Sequence, residues 1–169
     1  RADILSILNL ESGSYALTTV HRSGNVDDKE KLMGIVHGLE KIGQRIVLPL
    51  HPRTKKMLEQ FGLNFSNNVM LIDPVGYLDM LMLEKHAECI LTDSGGIQKE
   101  AYLLGVRCVT LREETEWVET VAAGWNVLTG TDTEKIARAY HDFHPAEKRP
   151  PVYGDGDAAD KIVQLLKTS

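Results

Sequence analysis

The chain has 169 residues, of which 43% are apolar and 25% are charged, and its formal net charge is −5. These values fit one ordinary globular domain with a buried core. They indicate neither a transmembrane helix nor a general surface for nucleic acid, because the chain has no long apolar run and no excess of basic residues. We therefore expect no membrane partner and no nucleic-acid partner.

The first residues have the pattern of a sequence that continues an earlier element. The chain starts at Arg1 without a methionine, and residues 2–5 have the pattern of a helix end. We interpret the chain as a fragment of a longer protein, in which residues 1–14 form the end of a preceding helix and a domain linker. No signal-peptide pattern is recognised at the start.

Along residues 15–143, short apolar runs alternate with amphipathic stretches. The runs predict strands at 15–20, 45–50, 69–72, 88–91, 106–111 and 126–128. Pro49 either weakens the second strand or marks its last hydrogen-bonded position. The stretches between them predict helices that start near Asp27 or Asp28, Pro52, Tyr77, Gly96 and Glu116, and a last one that Thr133 caps and that reaches about Phe143.

Strands that alternate with helices at this spacing imply βαβ units and a parallel sheet. We therefore predict an α/β fold, a Rossmann-like three-layer sandwich, over residues 15–143. Residues 144–169 follow as a linker, rich in Pro, Gly and charge, and a helix from Ala158 to Leu166.

The two cysteines, Cys89 and Cys108, each lie in an apolar run. This predicts buried free thiols of a reducing compartment, the cytoplasm, and neither a disulfide nor a metal site.

In doubly wound sheets, ligands bind beyond the carboxyl ends of the strands. The loop at 93–96 joins a buried strand directly to a helix, and its residues Gly95 and Gly96 leave the backbone open to a ligand. The free amides at a helix start bind anions, and Ser94 can cap the helix or donate to a phosphate. Glu100 lies one turn further along and could accept hydrogen bonds from ribose hydroxyls. The alternative is a tight turn with a serine cap.

Each of two further loops at strand ends contains a histidine and an arginine. His21 and Arg22 end the first strand, and His51 and Arg53 follow the second. Histidine can contact a phosphate or move a proton, and arginine can bind a phosphate. The alternative is that each pair belongs to a solvated loop.

The loop after the fifth strand carries Arg112 and an acidic run. We interpret its glutamates (Glu113, Glu114, Glu116 and Glu119) as a solvated face. Trp117 is unusual among them, because an aromatic side chain in a polar loop often packs on a ligand or on a neighbouring domain.

The order and spacing of these motifs from about Tyr15 to Gly130 resemble the C-terminal half of the non-hydrolysing UDP-N-acetylglucosamine 2-epimerases. The motifs are Thr19-Val20-His21-Arg22, Asn25-Val26, His51-Pro52-Arg53, Ile72-Asp73-Pro74, Leu91-Thr92-Asp93-Ser94-Gly95-Gly96-Ile97-Gln98, Glu100-Ala101, Arg112, Thr115-Glu116 and Ala123-Gly124-Trp125-Asn126-Val127-Leu128.

The resemblance implies a GT-B-like enzyme of two Rossmann-like domains with the active site in the cleft between them. It assigns Ser94, Gly95 and Gly96 to the diphosphate and Glu100 to the ribose. It makes His21 the catalytic residue, facing diphosphate and sugar. The remaining implied substrate contacts are Arg22, His51, Val75 and Met80, the last two at the uracil through their backbone, with Arg53, Arg112 and Trp117 as further candidates.

The implied enzyme is an isomerase of cell-surface polysaccharide biosynthesis that interconverts UDP-GlcNAc and UDP-ManNAc. It eliminates UDP to a 2-acetamidoglucal and adds UDP back after the proton returns on the other face. The resemblance implies a homodimer with no cofactor and no metal. It places the catalytic carboxylates in the N-terminal domain, so we expect this chain alone to bind UDP weakly and to catalyse nothing.

One segment departs from the family pattern. Many members have Thr-Glu-Arg-Pro-Glu where this chain has Thr115-Glu116-Trp117-Val118-Glu119. An indole cannot replace the charge of a guanidinium, and relatives that act on diacetamido-uronic acid nucleotides share a tryptophan-containing form. This departure makes an epimerase of such a modified UDP-sugar an alternative. Two further alternatives, independent of Trp117, are the nucleotide-binding domain of a GT-B glycosyltransferase and a non-catalytic nucleotide sensor.

Overall fold

The computed structural model describes residues 3–154 and 156–168. In this part of the chain, six parallel strands form one sheet in the order β3-β2-β1-β4-β5-β6. The strands are β1 (Ala16–Thr19), β2 (Ile46–Pro49), β3 (Val69–Ile72), β4 (Cys89–Thr92), β5 (Arg107–Thr110) and β6 (Asn126–Leu128). The prediction of a parallel, Rossmann-like α/β fold is confirmed.

Helices connect and flank these strands. They are α1 (Ile4–Ile7), α2 (Ser23–Val26), α3 (Lys29–Ile42), α4 (Pro52–Phe61), α5 (Tyr77–His86), α6 (Gly95–Leu104), α7 (Val118–Ala122), α8 (Thr133–Asp142) and α9 (Ala158–Thr168). None of the described helices is long and apolar enough to cross a membrane.

The sheet separates two hydrophobic clusters. One contains residues of α3, α4 and α8, and the other contains residues of α1, α5 and α6. Side chains of a strand alternate between the two, as Ala16 and Leu17 do in β1. The three-layer arrangement follows from this alternation, because both faces of the sheet are covered.

The closest helix packing joins α3 to α8. A side chain at Gly34 would place its Cβ 2.2 Å from the backbone oxygen of Thr131, and a Cβ at Gly38 would lie 2.9 Å from Ile136. Glycine at these two positions therefore lets the two helices approach.

Local signals explain most helix and strand ends. The Asp28 carboxylate accepts hydrogen bonds from the amides of Glu30 and Lys31, so Asp28 is the cap of α3. Gly43 ends that helix in the left-handed conformation. Pro49 is the last residue of β2, as one of the two readings of that proline expected. Cys89 and Cys108 are free and buried, as predicted, and burial raises the pKa of both thiols.

Three predicted boundaries were wrong. Asp132, and not Thr133, caps α8 through the amide of Lys135, because the Thr133 hydroxyl donates to the backbone oxygen of Gly34. Residues 23–26 form a short helix where a loop was predicted. Near the start, the helix runs from Ile4 to Ile7 after a non-helical Asp3, so the interpretation of residues 2–5 as a helix end does not hold for Asp3.

The other predicted bounds differ by at most two residues at helix and strand ends. Ala2 and Asp155, which belong to the predicted first segment and to the predicted linker, lie outside the described residues.

Candidate functional site

The strand order places one crevice at the centre of the sheet. The chain leaves β1 towards β2 on one side, whereas β4 and β5 extend the sheet on the other side. The carboxyl ends of β1 and β4 therefore form the topological switch point, where doubly wound folds bind ligands. The loops that begin at His21 and at Asp93 meet there.

A buried carboxylate joins these two loops. Asp93 is fully buried and accepts hydrogen bonds from the backbone amides of His21 (3.2 and 3.1 Å) and Arg22 (3.0 Å). The side-chain amide of Asn25 donates to it at 3.2 Å and to the backbone oxygen of Leu111 at 2.8 Å. Asp93 therefore fixes where the side chains of His21 and Arg22 start.

The turn after β4 presents backbone to solvent. The Ser94 hydroxyl accepts from the amide of Ile97 at 3.5 Å, and the Ser94 amide donates to the Thr92 hydroxyl at 2.9 Å. A Cβ at Gly96 would meet only the Ser94 hydroxyl within 4 Å, at 3.8 Å. Ser94 is thus the cap of α6, and the first amides of this helix face an open surface.

Three side chains converge on Gly95. A Cβ at that residue would lie 3.4 Å from Trp117 Nε1, 3.5 Å from Glu116 Oε2 and 3.6 Å from Arg22 Nη2. These are ordinary van der Waals distances, so a guanidinium, a carboxylate and an indole N–H surround the first residue of α6.

Glu116 links two arginines at this rim. Arg112 donates to both of its carboxylate oxygens, at 2.9 and 3.0 Å, and Arg22 Nη2 lies 3.9 Å from it. The hydrogen bonds from Arg112 lower the pKa of Glu116 to about 2. Glu116 is thus more than part of the solvated face that the sequence suggested, although Glu113 and Glu114 are exposed as expected.

Trp117 packs against Lys99 and Tyr153. Lys99 Nζ lies 4.8 Å from the centroid of the Trp117 ring and 4.8 Å from that of Tyr153, and the two rings pack edge to face. The buried Nε1 has no hydrogen-bond partner within the described residues. Trp117 therefore packs on the segment that follows α8 and keeps a free donor beside the turn.

A second group of predicted site residues shares a small cavity. Its volume is about 150 Å³, and it is lined by Thr19, Val20, His21, Pro49, His51, Pro74, Val75, Met80 and Ile97. The His21 and His51 rings have centroids 5.5 Å apart, and His21 Nδ1 lies 3.6 Å from Asp93 Oδ1. The structure thus brings His21, His51, Val75 and Met80 together.

Arg53 is the candidate that the structure engages elsewhere. Its guanidinium forms a two-point ion pair with Asp27, which lowers the pKa of Asp27 and raises that of Arg53. Its backbone amide donates to His51 Nδ1 at 3.1 Å, which makes His51 the cap of α4.

Glu100 lies half-buried on α6 and has a polar neighbour on α5. The Tyr77 hydroxyl donates to Glu100 Oε1 at 3.2 Å, and Tyr77 itself is exposed. Within the described residues, no three His, Cys, Asp or Glu side chains gather as a metal site would require.

Comparison with known proteins shows to which family the chain belongs. A family model described as UDP-N-acetylglucosamine 2-epimerase matches residues 2–167. The chain belongs to this family. The family is one of isomerases, and the similar solved structures are GT-B-like epimerases and, for the fold alone, a glycosyltransferase.

Individual relatives are also similar over most of the chain. A UDP-N-acetylglucosamine 2-epimerase homolog of Methanococcus maripaludis is 48% identical over 97% of this chain and 47% of the relative. A UDP-2,3-diacetamido-2,3-dideoxy-D-glucuronate 2-epimerase of Pseudomonas aeruginosa is 42% identical over 90% of this chain and 44% of the relative.

A solved epimerase gives the same result for the fold. The Methanocaldococcus jannaschii UDP-GlcNAc 2-epimerase, in complex with UDP-GlcNAc and UDP, is 41% identical with a TM-score of 0.85 over 100% of this chain and 49% of that chain. The chain thus spans about half the length of the curated relatives it matches.

Sequence reasoning about this epimerase-family chain missed two parts of the site. Asp93 was included in the turn but not recognised as the acceptor that holds the loop after β1. Tyr77 was read only as a helix start. Asp93 had a detectable signal, because a carboxylate at the end of a buried strand needs donors. Tyr77 had none, since its partner Glu100 lies 23 residues away in sequence.

Proposed function

We propose that this chain is the nucleotide-binding part of a non-hydrolysing 2-epimerase and that it holds the UDP of a UDP-sugar. The observation that carries the proposal is the open amino terminus of α6 at the switch point between β1 and β4. Such a terminus binds a diphosphate through free amides and the positive end of the helix dipole. In the proposal, Ser94, Gly95 and Gly96 take the diphosphate.

Glu100 makes the site one for a nucleotide rather than for a bare phosphate. It lies on the same helix, after the anion-binding turn, and a carboxylate there accepts hydrogen bonds from the ribose hydroxyls. The cavity beside His51, Val75 and Met80 is small and mostly apolar, which suits the edge of a flat base. The ligands of the M. jannaschii structure, UDP-GlcNAc and UDP, support this assignment.

His21 is the proposed catalytic residue of this half. Asp93 anchors its backbone, and its partly exposed ring faces the crevice beside His51. A histidine in this position can donate to the diphosphate oxygen that gains negative charge as UDP leaves. Arg22 and Arg112 lie at the same edge and add positive charge.

The proposed reaction interconverts UDP-GlcNAc and UDP-ManNAc. A base removes the proton from C2, the C1–O bond breaks, and UDP leaves with the bonding electrons, which gives a 2-acetamidoglucal. A proton then adds to C2 from the other face, and UDP returns to C1. This chain would stabilise the leaving UDP. We propose that the acid and base lie in a second domain, so that the chain alone is inactive, and that the complete cytoplasmic enzyme is a homodimer.

Trp117 favours a second candidate for the sugar. It stands where many members have arginine, so the site has one cation fewer, and the P. aeruginosa relative is named for a diacetamido-uronic acid nucleotide. The alternative substrate is therefore a modified UDP-sugar of that type. A GT-B glycosyltransferase domain is disfavoured, because the matching family is one of epimerases.

Calorimetric titration of UDP and of pyrophosphate tests the proposal. We expect wild-type chain to bind both and Glu100→Ala to lose about tenfold or more in UDP affinity, since hydrogen bonds to a charged group contribute about 1.5–3 kcal/mol. Pyrophosphate affinity is expected to change less than UDP affinity. Absence of UDP binding at millimolar concentration would rule out the nucleotide site, and an equal loss for both ligands would rule out the ribose assignment.

A further inference from the structure

Glu84 is a buried acid that the proposed mechanism does not use. It lies near the end of α5, beside the fully buried Leu83, and its own exposure is 0%. Neither of its carboxyl oxygens has a hydrogen-bond partner within the described residues. The helix cannot turn this side chain out without moving Leu83, whose backbone oxygen accepts a hydrogen bond from the Tyr15 hydroxyl at 2.7 Å.

A carboxylate in such a place is costly when it is charged, because it has given up water and gained no donor. Burial, with a smaller effect from Glu100, raises the pKa of Glu84 to about 8. Glu84 therefore carries a proton at neutral pH and becomes charged in mildly basic solution.

The groups that face Glu84 from the neighbouring elements are acids. Its electrostatic partners are Glu100 on α6, Cys108 on β5 and Tyr77, seven residues earlier on α5. The Tyr15 hydroxyl, just before β1, donates to the backbone oxygen of the adjacent Leu83. The packed residues Ile4–Ile7 of α1 contain no titratable side chain. Two nearby lysines point elsewhere, since Lys85 is exposed and Lys99 lies against Trp117 and Tyr153.

We propose that Glu84 is a positioning residue for Glu100: its protonated form adds no second negative charge beside Glu100 at the α5–α6 packing, and loss of its proton weakens nucleotide binding. This inference rests on the nucleotide site proposed above. Bound UDP adds negative charge near α6 and therefore favours the protonated Glu84. By linkage, UDP affinity falls as the pH rises through the range in which Glu84 ionises.

The test is the dissociation constant of UDP between pH 7 and 9.5 for wild type and Glu84→Gln. We expect the wild-type constant to rise about tenfold for each unit by which UDP raises the pKa of Glu84. Glu84→Gln keeps the shape and cannot ionise, so this rise is expected to be absent from it, and the ratio of the wild-type constant to the variant constant separates the effect of Glu84 from the ionisation of UDP itself. Tyr77, whose pKa is raised by its hydrogen bond to Glu100, remains protonated in this range.

Asp79→Asn is the matched control, because Asp79 is a half-buried acid of the same helix. It is expected to keep the wild-type pH profile. If Glu84→Gln does not fold, Glu84→Met replaces it. Identical profiles for wild type and the Glu84 variants, with UDP bound in both, would overturn the role of Glu84 and leave the nucleotide site intact.

Carbon NMR of the Glu84 carboxyl group tests the inference without relying on affinity. We expect its titration midpoint near pH 8 in the free chain and a higher midpoint with UDP. A midpoint near the ordinary value of 4.5, or one that UDP leaves unchanged, would overturn the inference. Absence of UDP binding at every pH would instead remove the proposed function and with it this inference.

Discussion

Asp93 and Glu84 are both fully buried acids, and they have opposite surroundings. Asp93, at the end of β4, accepts hydrogen bonds from two backbone amides and one side-chain amide. Glu84, on α5, has no donor among the described residues and faces other acids. The two carboxyl groups show that burial alone does not decide the state of an acid, because the donors around it do.

Because their surroundings differ, Asp93 and Glu84 also have different roles. Asp93 uses its hydrogen bonds to hold the loop that carries His21 and Arg22, so it organises the crevice. Glu84 is tolerated only with a proton, so it ties the α5–α6 packing to the pH of the solution. Asp93 fixes the geometry of the crevice, whereas Glu84 determines the pH range in which Glu100 has no second charged carboxylate beside it.

The largest effect is expected when the carboxylate of Asp93 is removed. Asp93→Ala removes the acceptor of the part-buried amides of His21 and Arg22 and of the buried Asn25 side-chain amide, and loss of an acceptor at a buried donor costs about 1–3 kcal/mol. We expect the free energy of unfolding to fall by about 3 kcal/mol and UDP binding to be lost. Urea unfolding, followed by circular dichroism, measures the first, and calorimetry measures the second.

Asp28→Ala is the control, since Asp28 also accepts from two backbone amides but is exposed at the start of α3. A lost helix cap costs about 1 kcal/mol. If Asp93→Ala costs no more than Asp28→Ala, then the buried acceptor does not hold the site together.

Much of the fold was predictable, for reasons that particular residues illustrate. Leu17, Val47 and Ile90 lie in continuous apolar runs because their strands are covered on both faces. Caps were less certain, because Asp132 and Thr133 are both good capping residues and only the position of the Gly34 oxygen decides between them. The short α2 was missed because four residues carry no periodicity.

The turn at 94–96 and the proposed roles of His21 and Glu100 came from the sequence, whereas the surroundings of the two buried acids did not. The run Leu81-Met82-Leu83 predicts a helix but not which way Glu84 turns relative to α6. Tyr77 and Glu100 meet only after α5 and α6 pack. Contacts of this kind depend on helix packing rather than on local pattern.

The second largest effect is expected in the pH dependence of stability that Glu84 causes. Its folded-state pKa of about 8 lies above the ordinary 4.5, so its contribution to stability is present in full below 4.5 and is lost as the pH rises to about 8. Glu84→Met has no such loss. We expect the variant to gain on wild type by on the order of 2 kcal/mol between pH 5 and 7.

Unfolding free energies of both proteins at the two pH values give this difference, because all other groups titrate alike in them. Asp79→Asn is expected to show no pH-dependent gain. A constant difference between Glu84→Met and wild type would mean that Glu84 is ionised in the folded chain, and the contrast with Asp93 would disappear.

The smallest effect is expected at an acid that has donors but is not buried. The side chain of Glu116 is 51% exposed and accepts two hydrogen bonds from Arg112. Its lowered pKa means that its contribution is present above about 4.5 and is lost as the pH falls towards about 2. Because water screens an exposed pair, Glu116→Gln is expected to cost less than about 0.5 kcal/mol at pH 7, and less again at high salt. Urea unfolding at low and high salt measures this cost. A loss of unfolding free energy as large as that of Asp93→Ala would show that hydrogen-bond donors stabilise an acid equally whether it is exposed or buried. A small loss would show that such donors stabilise an acid more when it is shielded from water.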